Sequence, residues 1–146
     1  MTTIAASVEI EAPAEATWAV LTDWSGQGSW MPMTTVEVTG GDGALGTQLT
    51  ARSGVGKLAL VDPMTIDVWQ PPHRCEVAHH GRVITGRGVF VVDELPGGRS
   101  KVTWEEQLAG EGAMKLLDRA SGPGTRVMLG VALRRLRRAV SASTTP

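Results

Sequence analysis

Residues 126–140, RVMLGVALRRLRRAV, form the most regular pattern of apolar and basic residues in the sequence. Five apolar residues in this stretch recur at helical spacing and share one face: Leu129, Ala132, Leu133, Leu136 and Val140. Arg134, Arg137 and Arg138 fall on the opposite side, with Arg135 beside them. The pattern predicts an amphipathic helix near residues 125–141, with an apolar stripe wide enough to cover a sheet.

The segments next to this helix set its expected limits. Gly122-Pro123-Gly124 predicts a break before it, with a shorter helical piece near residues 113–121. The small and polar residues at the end of the chain predict a disordered tail over residues 143–146. A chain of 146 residues is the usual size of one domain. We therefore expect a single domain over residues 1–142.

Residues 36–108 have the pattern of consecutive strands. Glycine- and proline-rich turns separate a strand beginning at Val36 from five segments near residues 47–53, 57–69, 73–79, 83–94 and 100–108. No helical period lies between these segments, which favours antiparallel hairpins. In the second segment Met64, Ile66 and Val68 alternate with polar residues and Trp69, so Trp69 is predicted on the other face.

The N-terminal part of the chain predicts one strand and two short helices. Residues 4–10 alternate apolar and polar side chains, which is typical of a strand with one buried face. Pro13 suits the start of a helix that runs to about Leu21, and a short turn around Trp30 ends at Pro32. The fold class is thus α+β: seven antiparallel strands, with the long helix as their only cover. Small strand residues such as Ala51, Gly86 and Gly88 predict a gap beneath that helix.

Composition and charge narrow the class of protein. Apolar residues make up 42% of the chain and charged residues 20%, which is typical of globular domains. The single cysteine, Cys75, excludes an internal disulfide and zinc sites built from several cysteines. The net charge of the chain is -1, but its N-terminal part is acidic and its C-terminal part is basic. No membrane-spanning run and no secretory signal are seen, so we expect a cytoplasmic protein without integral membrane association.

His79 and Glu106 are the candidate catalytic pair. His79 shares a strand face with Cys75 and Val77, so it is expected to point inward, where a histidine can act as a general acid or base. Glu106 shares a face with Trp104, and a buried carboxylate there could exchange a proton. The alternatives are a histidine in an exposed turn or hydrogen-bonded in the wall, and a glutamate that is solvated or paired with Arg87 or Lys101. Neighbouring histidines on one strand point to opposite faces, so no metal site is expected.

Aromatic and sulfur-containing side chains supply the candidate ligand-binding set. Trp30, with Met31 and Met33, is placed near the expected mouth of the gap, where tryptophan and methionine offer adaptable apolar surface. The alternative for each is ordinary core packing. The complete predicted binding set is Trp30, Met31, Met33, Arg87, Phe90, Trp104, Met128 and Ala132.

Four stretches together resemble the START-like superfamily, also called SRPBCC. They are VEIEAPAEATWAVLTDWSGQGSWMP (8–32), VWQPPHRCEV (68–77), VFVVDELPGGRSKVTWEEQL (89–108) and RVMLGVALRRLRRAV (126–140). They are similar to its opening signature, its Pro-Pro turn between strands, its penultimate hairpin and its closing helix. The similarity is closest to the polyketide cyclase/dehydrase-like branch of small bacterial proteins and covers nearly the whole chain.

The resemblance implies a helix-grip fold. In that fold a seven-stranded antiparallel sheet wraps around a long C-terminal helix, and two short helices close one end. It also implies a hydrophobic cavity between sheet and helix. Across the superfamily such cavities bind lipids, sterols, polyketides, quinones or plant hormones, and some members are cyclases, aromatases or ring hydroxylases. The superfamily shares no catalytic motif that could be carried over.

Three functions remain open on the sequence. The first is binding of a hydrophobic small molecule, such as a lipid or polyketide, in the internal cavity, without a cofactor. The second is a cyclase or dehydratase that uses His79 and Glu106 as an acid/base pair. The third is an interaction module that presents the basic face of the closing helix. We expect no nucleic-acid partner, and the oligomeric state, monomer or homodimer, is left open. Two inward polar groups within reach of a common point would favour the enzyme.

Overall fold

A computed structural model describes residues 2–54, 56, 59–82, 84–109 and 122–144 of the chain. The elements, in chain order, are β1 Thr2–Ile10, α1 Ala14–Leu21, a 3-10 helix Trp24–Ser29, β2 Thr34–Gly40, β3 Gln48–Ser53, β4 Leu60–Gln70, β5 Arg74–His80, β6 Thr85–Leu95, β7 Arg99–Ala109 and α2 Gly122–Thr144. The strands form one antiparallel sheet in the order β1-β7-β6-β5-β4-β3-β2. The predicted fold class is confirmed.

The first connection of the chain spans the whole sheet. Strands β1 and β2 lie at opposite ends of the strand order, and α1 with the 3-10 helix joins them. Two buried polar contacts fix this connection: the Thr17 and Ser100 hydroxyls lie 2.8 Å apart, and Gln27 Nε2 donates to the Leu21 carbonyl. Pairing these polar groups avoids the cost of burying them alone. The two helices therefore close one end of the sheet, as expected.

Helix α2 covers the inner face of the sheet with the predicted stripe. Leu129, Leu133, Leu136 and Val140 are all buried, and they pack with side chains of the strands. The four arginines of the opposite side are exposed. Burial of an apolar helix face against a sheet is the main source of helix stability in proteins.

The two ends of α2 differ from the sequence expectation. Gly122, Pro123 and Gly124 form its first residues, which suits proline because the first turn leaves its backbone N–H groups unused. The helix continues to Thr144, where the Ser143 and Thr144 hydroxyls donate to the Val140 carbonyl, so the first half of the predicted 143–146 tail is helical. The short helix predicted near residues 113–121 lies outside the described residues.

A bulge in β4 changes which face its last residues occupy. Ile66 pairs with Val77, but Val68 pairs with Glu76 and Trp69 with Cys75, so Asp67 is an extra residue on β4. An extra residue reverses the alternation of faces beyond it. Trp69 therefore turns inward, and its ring centroid lies 5.2 Å from that of Trp18. The prediction that Trp69 shares the outer face is wrong for this reason.

Candidate functional site

A cavity of about 390 Å³ lies between the sheet and α2. Its walls come from β2 to β7, the 3-10 helix and the N-terminal half of α2, and they are mostly apolar. Aromatic surface is supplied by Phe90 and Trp104, whose ring centroids are 5.4 Å apart and tilted by 47°. This volume falls within the range of about 300–1,000 Å³ that is typical of small-molecule sites.

The charged side chains of the described lining form one cluster: Asp62 on β4, His79 on β5 and Glu106 on β7. His79 Nδ1 lies 2.8 Å from Asp62 Oδ2, and His79 Nε2 lies 3.0 Å from Glu106 Oε2. Trp104 Nε1 donates to the second oxygen of Glu106 at 2.8 Å. All three members of the cluster line the cavity. Because side chains alternate between the two faces of a strand, inward positions on three strands bring together groups that are far apart in sequence.

A glycine on β6, Gly88, leaves room for this cluster. Strand β6 lies between β5 and β7, so His79 and Glu106 must meet across it, over two strand spacings of ~4.8 Å each. Gly86 pairs with His79, and Gly88 pairs with Val77 on one side and Glu106 on the other. A Cβ at Gly88 would lie 3.2 Å from Glu106 Oε1 and 3.1 Å from a Val77 methyl group. Glycine at position 88 leaves the space that the Val77 and Glu106 side chains occupy.

The cluster holds His79 in its charged form. Burial by itself would lower the pKa of His79, but the hydrogen bonds to Asp62 and Glu106, together with their negative charges, outweigh it and raise the pKa to about 10. An ionised carboxylate only accepts hydrogen bonds, so both imidazole nitrogens donate here. At neutral pH the cluster is therefore an imidazolium between two carboxylates.

Asp62 uses one of its two carboxylate oxygens for its hydrogen bond to His79. The Asp62 residue is 8% exposed, and its Oδ1 is buried without a hydrogen-bond partner among the described residues. Buried polar atoms in proteins nearly always have partners, so this oxygen is an exception. The sequence analysis did not select Asp62. The signal was present, because Asp62 shares strand parity with Met64 and Ile66.

Four of the predicted ligand-binding residues line the cavity: Met31, Phe90, Trp104 and Met128. The predicted pair His79 and Glu106 also lines it, and the two side chains bond to each other. Their predicted roles as ligand-binding or catalytic residues stay predictions. For Glu106, the partners are His79 and Trp104, rather than the Arg87 or Lys101 considered from the sequence.

The other four predicted binding residues lie elsewhere. Trp30 is only 1% exposed and packs edge-on against Trp104, with ring centroids 6.2 Å apart, instead of facing an open mouth. Met33 is exposed, and Ala132 is buried on the apolar face of α2 without lining the cavity. Arg87 lies on the outer face of β6, where it pairs with Asp67 and Glu76, since its neighbours Gly86 and Gly88 take the inner positions. It cannot orient a ligand in this cavity.

No group of three potential metal ligands is found among the described residues. Within the same residues, no helix is long and apolar enough to span a membrane.

Comparison with known proteins places the chain in a family. The family model described as polyketide cyclase / dehydrase and lipid transport matches residues 1–142, nearly the whole chain. The chain belongs to this family. The resemblance inferred from the four sequence stretches is thereby confirmed. None of the curated proteins matches the sequence significantly.

Solved structures share the fold over nearly the full length of this chain. A Thermus thermophilus protein has a TM-score of 0.78 at 18% identity, with 99% of this chain and 100% of that chain covered. The Zhui aromatase/cyclase of a Streptomyces species has a TM-score of 0.77 at 16% identity, with 99% and 96% covered. The di-domain ARO/CYC protein BexL has a TM-score of 0.73 at 15% identity, and this chain covers 48% of it. At these sequence identities the likeness to the solved structures shows the fold alone.

Proposed function

We propose that the protein binds an apolar small molecule in the cavity between the sheet and α2. The observation that carries this proposal is a cavity of about 390 Å³ whose lining is apolar except for a few polar groups. Binding sites for small molecules combine apolar burial with a few placed polar groups in this way. Membership in a family described by polyketide cyclases and lipid transport supports the same conclusion.

The lining favours a ligand with rings over a thin flexible chain. Phe90 and Trp104 present two aromatic rings on one wall, while Leu49, Met64 and Met128 supply aliphatic and thioether surface elsewhere. Aromatic rings stack in offset or tilted arrangements, and methionine adapts its shape to the ligand. Aromatic or partly aromatic molecules of two to three rings suit this surface.

Thermal denaturation with a library of ring compounds tests binding. A ligand that binds only the folded state at 100 times its Kd stabilises that state by about 2.7 kcal/mol, which raises the Tm by roughly 5 °C or more. Ala51→Phe fills the cavity, because Ala51 is a buried lining residue, and should abolish this rise. Ala5→Phe, on the exposed face of β1, is the matched control and should keep it.

The Tm of Ala51→Phe without ligand reports whether the variant still folds. Absence of any Tm rise across the library with wild-type protein would contradict the proposal directly.

A second candidate function is acid/base catalysis of ring closure or dehydration. The specific observation in its favour is the hydrogen-bonded cluster of Asp62, His79 and Glu106 inside an apolar cavity. Two inward polar groups within reach of one point favour an enzyme over a binding protein. The fold likeness to an aromatase/cyclase is consistent with this candidate.

The chemistry of this candidate is balanced by proton transfer alone. A carboxylate of the cluster removes a proton from a carbon between two carbonyl groups, and the resulting enolate forms a carbon–carbon bond with a second carbonyl of the same substrate. The carboxylic acid formed in this way gives the proton to the new alkoxide, while His79, whose two nitrogens bond to the carboxylates, holds the cluster in place. The carboxylate is thereby regenerated, so no oxidant or cofactor is consumed.

Steady-state kinetics with a synthetic aryl triketone separates the two candidates. In an enzyme, His79→Gln and Glu106→Gln should each lower kcat by about 10²–10⁴ while KM changes little. In a binding protein no turnover is seen, and the same variants keep affinity within about tenfold, since one hydrogen bond contributes only ~0.5–1.5 kcal/mol. His80→Gln, at the exposed neighbouring position, is the control for both measurements.

A further inference from the structure

We propose that the cavity selects a ring compound that carries a tertiary or quaternary ammonium group, in preference to a neutral or an anionic ligand of the same shape. This inference rests on the proposed binding function and names the chemical class of the ligand. It goes beyond an apolar cavity, because apolar walls alone would favour the neutral compound over either ion.

The charged groups of the cavity do not balance. Among the described lining residues, two carboxylates, Asp62 and Glu106, face one imidazole, His79, and no lysine or arginine is present. Two carboxylates and one imidazolium give the cluster a net charge of -1, and loss of the imidazolium proton would make it more negative. Buried charges in proteins are normally paired, so one negative charge lacks a partner within the described part of the cavity.

A ligand that fills the cavity removes water from around this excess charge. Water screens a charge strongly, whereas the effective dielectric constant inside a protein is several-fold lower. A neutral ligand therefore leaves the negative cluster less well solvated, and a carboxylate ligand places a second negative charge beside it. A cationic ligand supplies the charge that the cluster lacks, so its attraction to the cluster offsets its own loss of hydration.

The hydrogen bonds inside the cluster indicate which kind of cation fits. Three of the four carboxylate oxygens already accept a hydrogen bond: Asp62 Oδ2 and Glu106 Oε2 from His79, and Glu106 Oε1 from Trp104. The fourth, Asp62 Oδ1, is buried in the wall, where a ligand donor does not reach it. A primary ammonium ion has three N–H groups that need acceptors, whereas a tertiary or quaternary one has at most one. The alkylated cation therefore fits a site that offers charge but few free acceptors.

Aromatic side chains lie next to the cluster and add to this preference. Trp104 donates its indole N–H to Glu106, so ring and carboxylate are neighbours in the wall. The ring of Phe90 lies 5.4 Å from that of Trp104, measured between centroids, and both residues line the cavity. The faces of aromatic rings attract cations, and they are the usual recognition surface for quaternary ammonium groups. Charge and aromatic surface therefore favour the same class of ligand.

Calorimetry with three naphthalene derivatives tests the inference. They are (2-naphthylmethyl)trimethylammonium, its neutral isostere 2-neopentylnaphthalene, in which carbon replaces the charged nitrogen, and 2-naphthylacetate. Wild-type protein should bind the cation roughly tenfold more tightly than the neutral isostere, and should bind the anion more weakly than either. The neutral isostere measures apolar binding without a charge, and therefore reports on the proposed function separately.

Glu106→Gln is the diagnostic variant, and Glu105→Gln is its matched control. Glu106→Gln removes one carboxylate from the cluster at nearly constant shape. At about pH 6, where a histidine beside the remaining carboxylate of Asp62 is protonated, the preference for the cation should fall several-fold. Glu105 lies on the outer face of β7, where it accepts a hydrogen bond from Gln107, so its variant changes the net charge of the protein equally without changing the cavity. Its preference should equal that of wild type.

Ala51→Phe, which fills the cavity, shows where the cation binds. It should weaken binding of all three compounds, whereas a cation held by the acidic N-terminal part of the chain would keep its affinity. That result, or a preference for the cation that survives in Glu106→Gln, would overturn the inference.

Equal or tighter binding of the neutral isostere by wild-type protein would overturn the inference while leaving cavity binding intact. Tightest binding of 2-naphthylacetate would overturn it as well. Failure of all three compounds to bind would contradict the proposed function together with this inference. The wild-type comparison decides the matter even if a variant does not fold.

Discussion

At the scale of single residues, the surroundings of His79 change its protonation state. It lies between Asp62 and Glu106, and its pKa is raised from 6.5 to about 10. A group with a raised pKa in the folded state adds stability that is complete below its unfolded pKa and is lost as pH rises through the folded value. The window for His79 therefore extends from about pH 6.5 to about pH 10.

Urea unfolding at several pH values checks this state. Between pH 7 and 9 the folded state should hold one proton that the unfolded state has lost, so the wild-type free energy of unfolding should fall by up to ~1.4 kcal/mol per pH unit more than that of His79→Gln. His80→Gln, in which the exposed neighbour is changed, should follow the wild-type slope. Parallel pH profiles for wild type and His79→Gln would show that His79 is not held as a cation.

Gly88 is the second residue whose identity the site requires. A methyl group there would lie 3.1 Å from a Val77 methyl and 3.2 Å from the Glu106 carboxylate. Gly88→Ala should therefore lower the free energy of unfolding by about 1–3 kcal/mol, as overpacking does, and weaken the contact between His79 and Glu106. Chemical denaturation measures the first effect, and NMR titration of the His79 ring measures the second.

Gly130→Ala is the control for that measurement. Gly130 lies within α2 and has open space at its Cβ position, so alanine there should raise stability by about 0.5–1 kcal/mol. A Gly88→Ala variant as stable as wild type, with an unchanged His79 titration, would mean that the space at β6 is not needed.

At the scale of elements, α2 carries most of the cover for the sheet. Leu136 is completely buried on its apolar face, so Leu136→Ala should cost about 2–5 kcal/mol of unfolding free energy. Arg135→Ala, at an exposed position of the same helix, should change stability by no more than about 0.5 kcal/mol. A loss of unfolding free energy below about 1 kcal/mol for Leu136→Ala would contradict the packing of the sheet against this helix.

At the scale of the whole molecule, charge is divided between two regions. Residues 1–51 contain six acids and no base, whereas the exposed side of α2 presents Arg134, Arg135, Arg137 and Arg138. Solvated charged faces are common on globular proteins, and their substitution changes stability little. The arginine face therefore needs no partner to explain it.

Binding to anionic vesicles and to DNA at physiological salt tests that interpretation. We expect no measurable binding by wild-type protein, and a change of at most about 0.5 kcal/mol in stability for each of Arg134→Gln and Arg138→Gln. Binding that is seen with wild-type protein and lost in the double variant would instead favour an interaction module that uses α2.

Local sequence patterns were sufficient to predict the class of fold and most of its elements. Period-two alternation, turn residues and the helical stripe of α2 depend on neighbours in the chain, so they are visible without a structure. The same local patterns placed His79, Glu106, Phe90 and Trp104 on inward faces, and all four line the cavity. The family followed from the order of these local patterns.

The tertiary structure decided which of these residues meet. The β4 bulge at Asp67 turned Trp69 inward, and Trp30 was buried behind Trp104. Asp62 joined His79 because strand pairing brings positions 17 residues apart into hydrogen-bond distance. One inserted residue moves every later residue of the strand to the opposite face, and contacts between strands depend on register. Local sequence pattern specifies neither, so the polar cluster emerges only when the sheet is assembled.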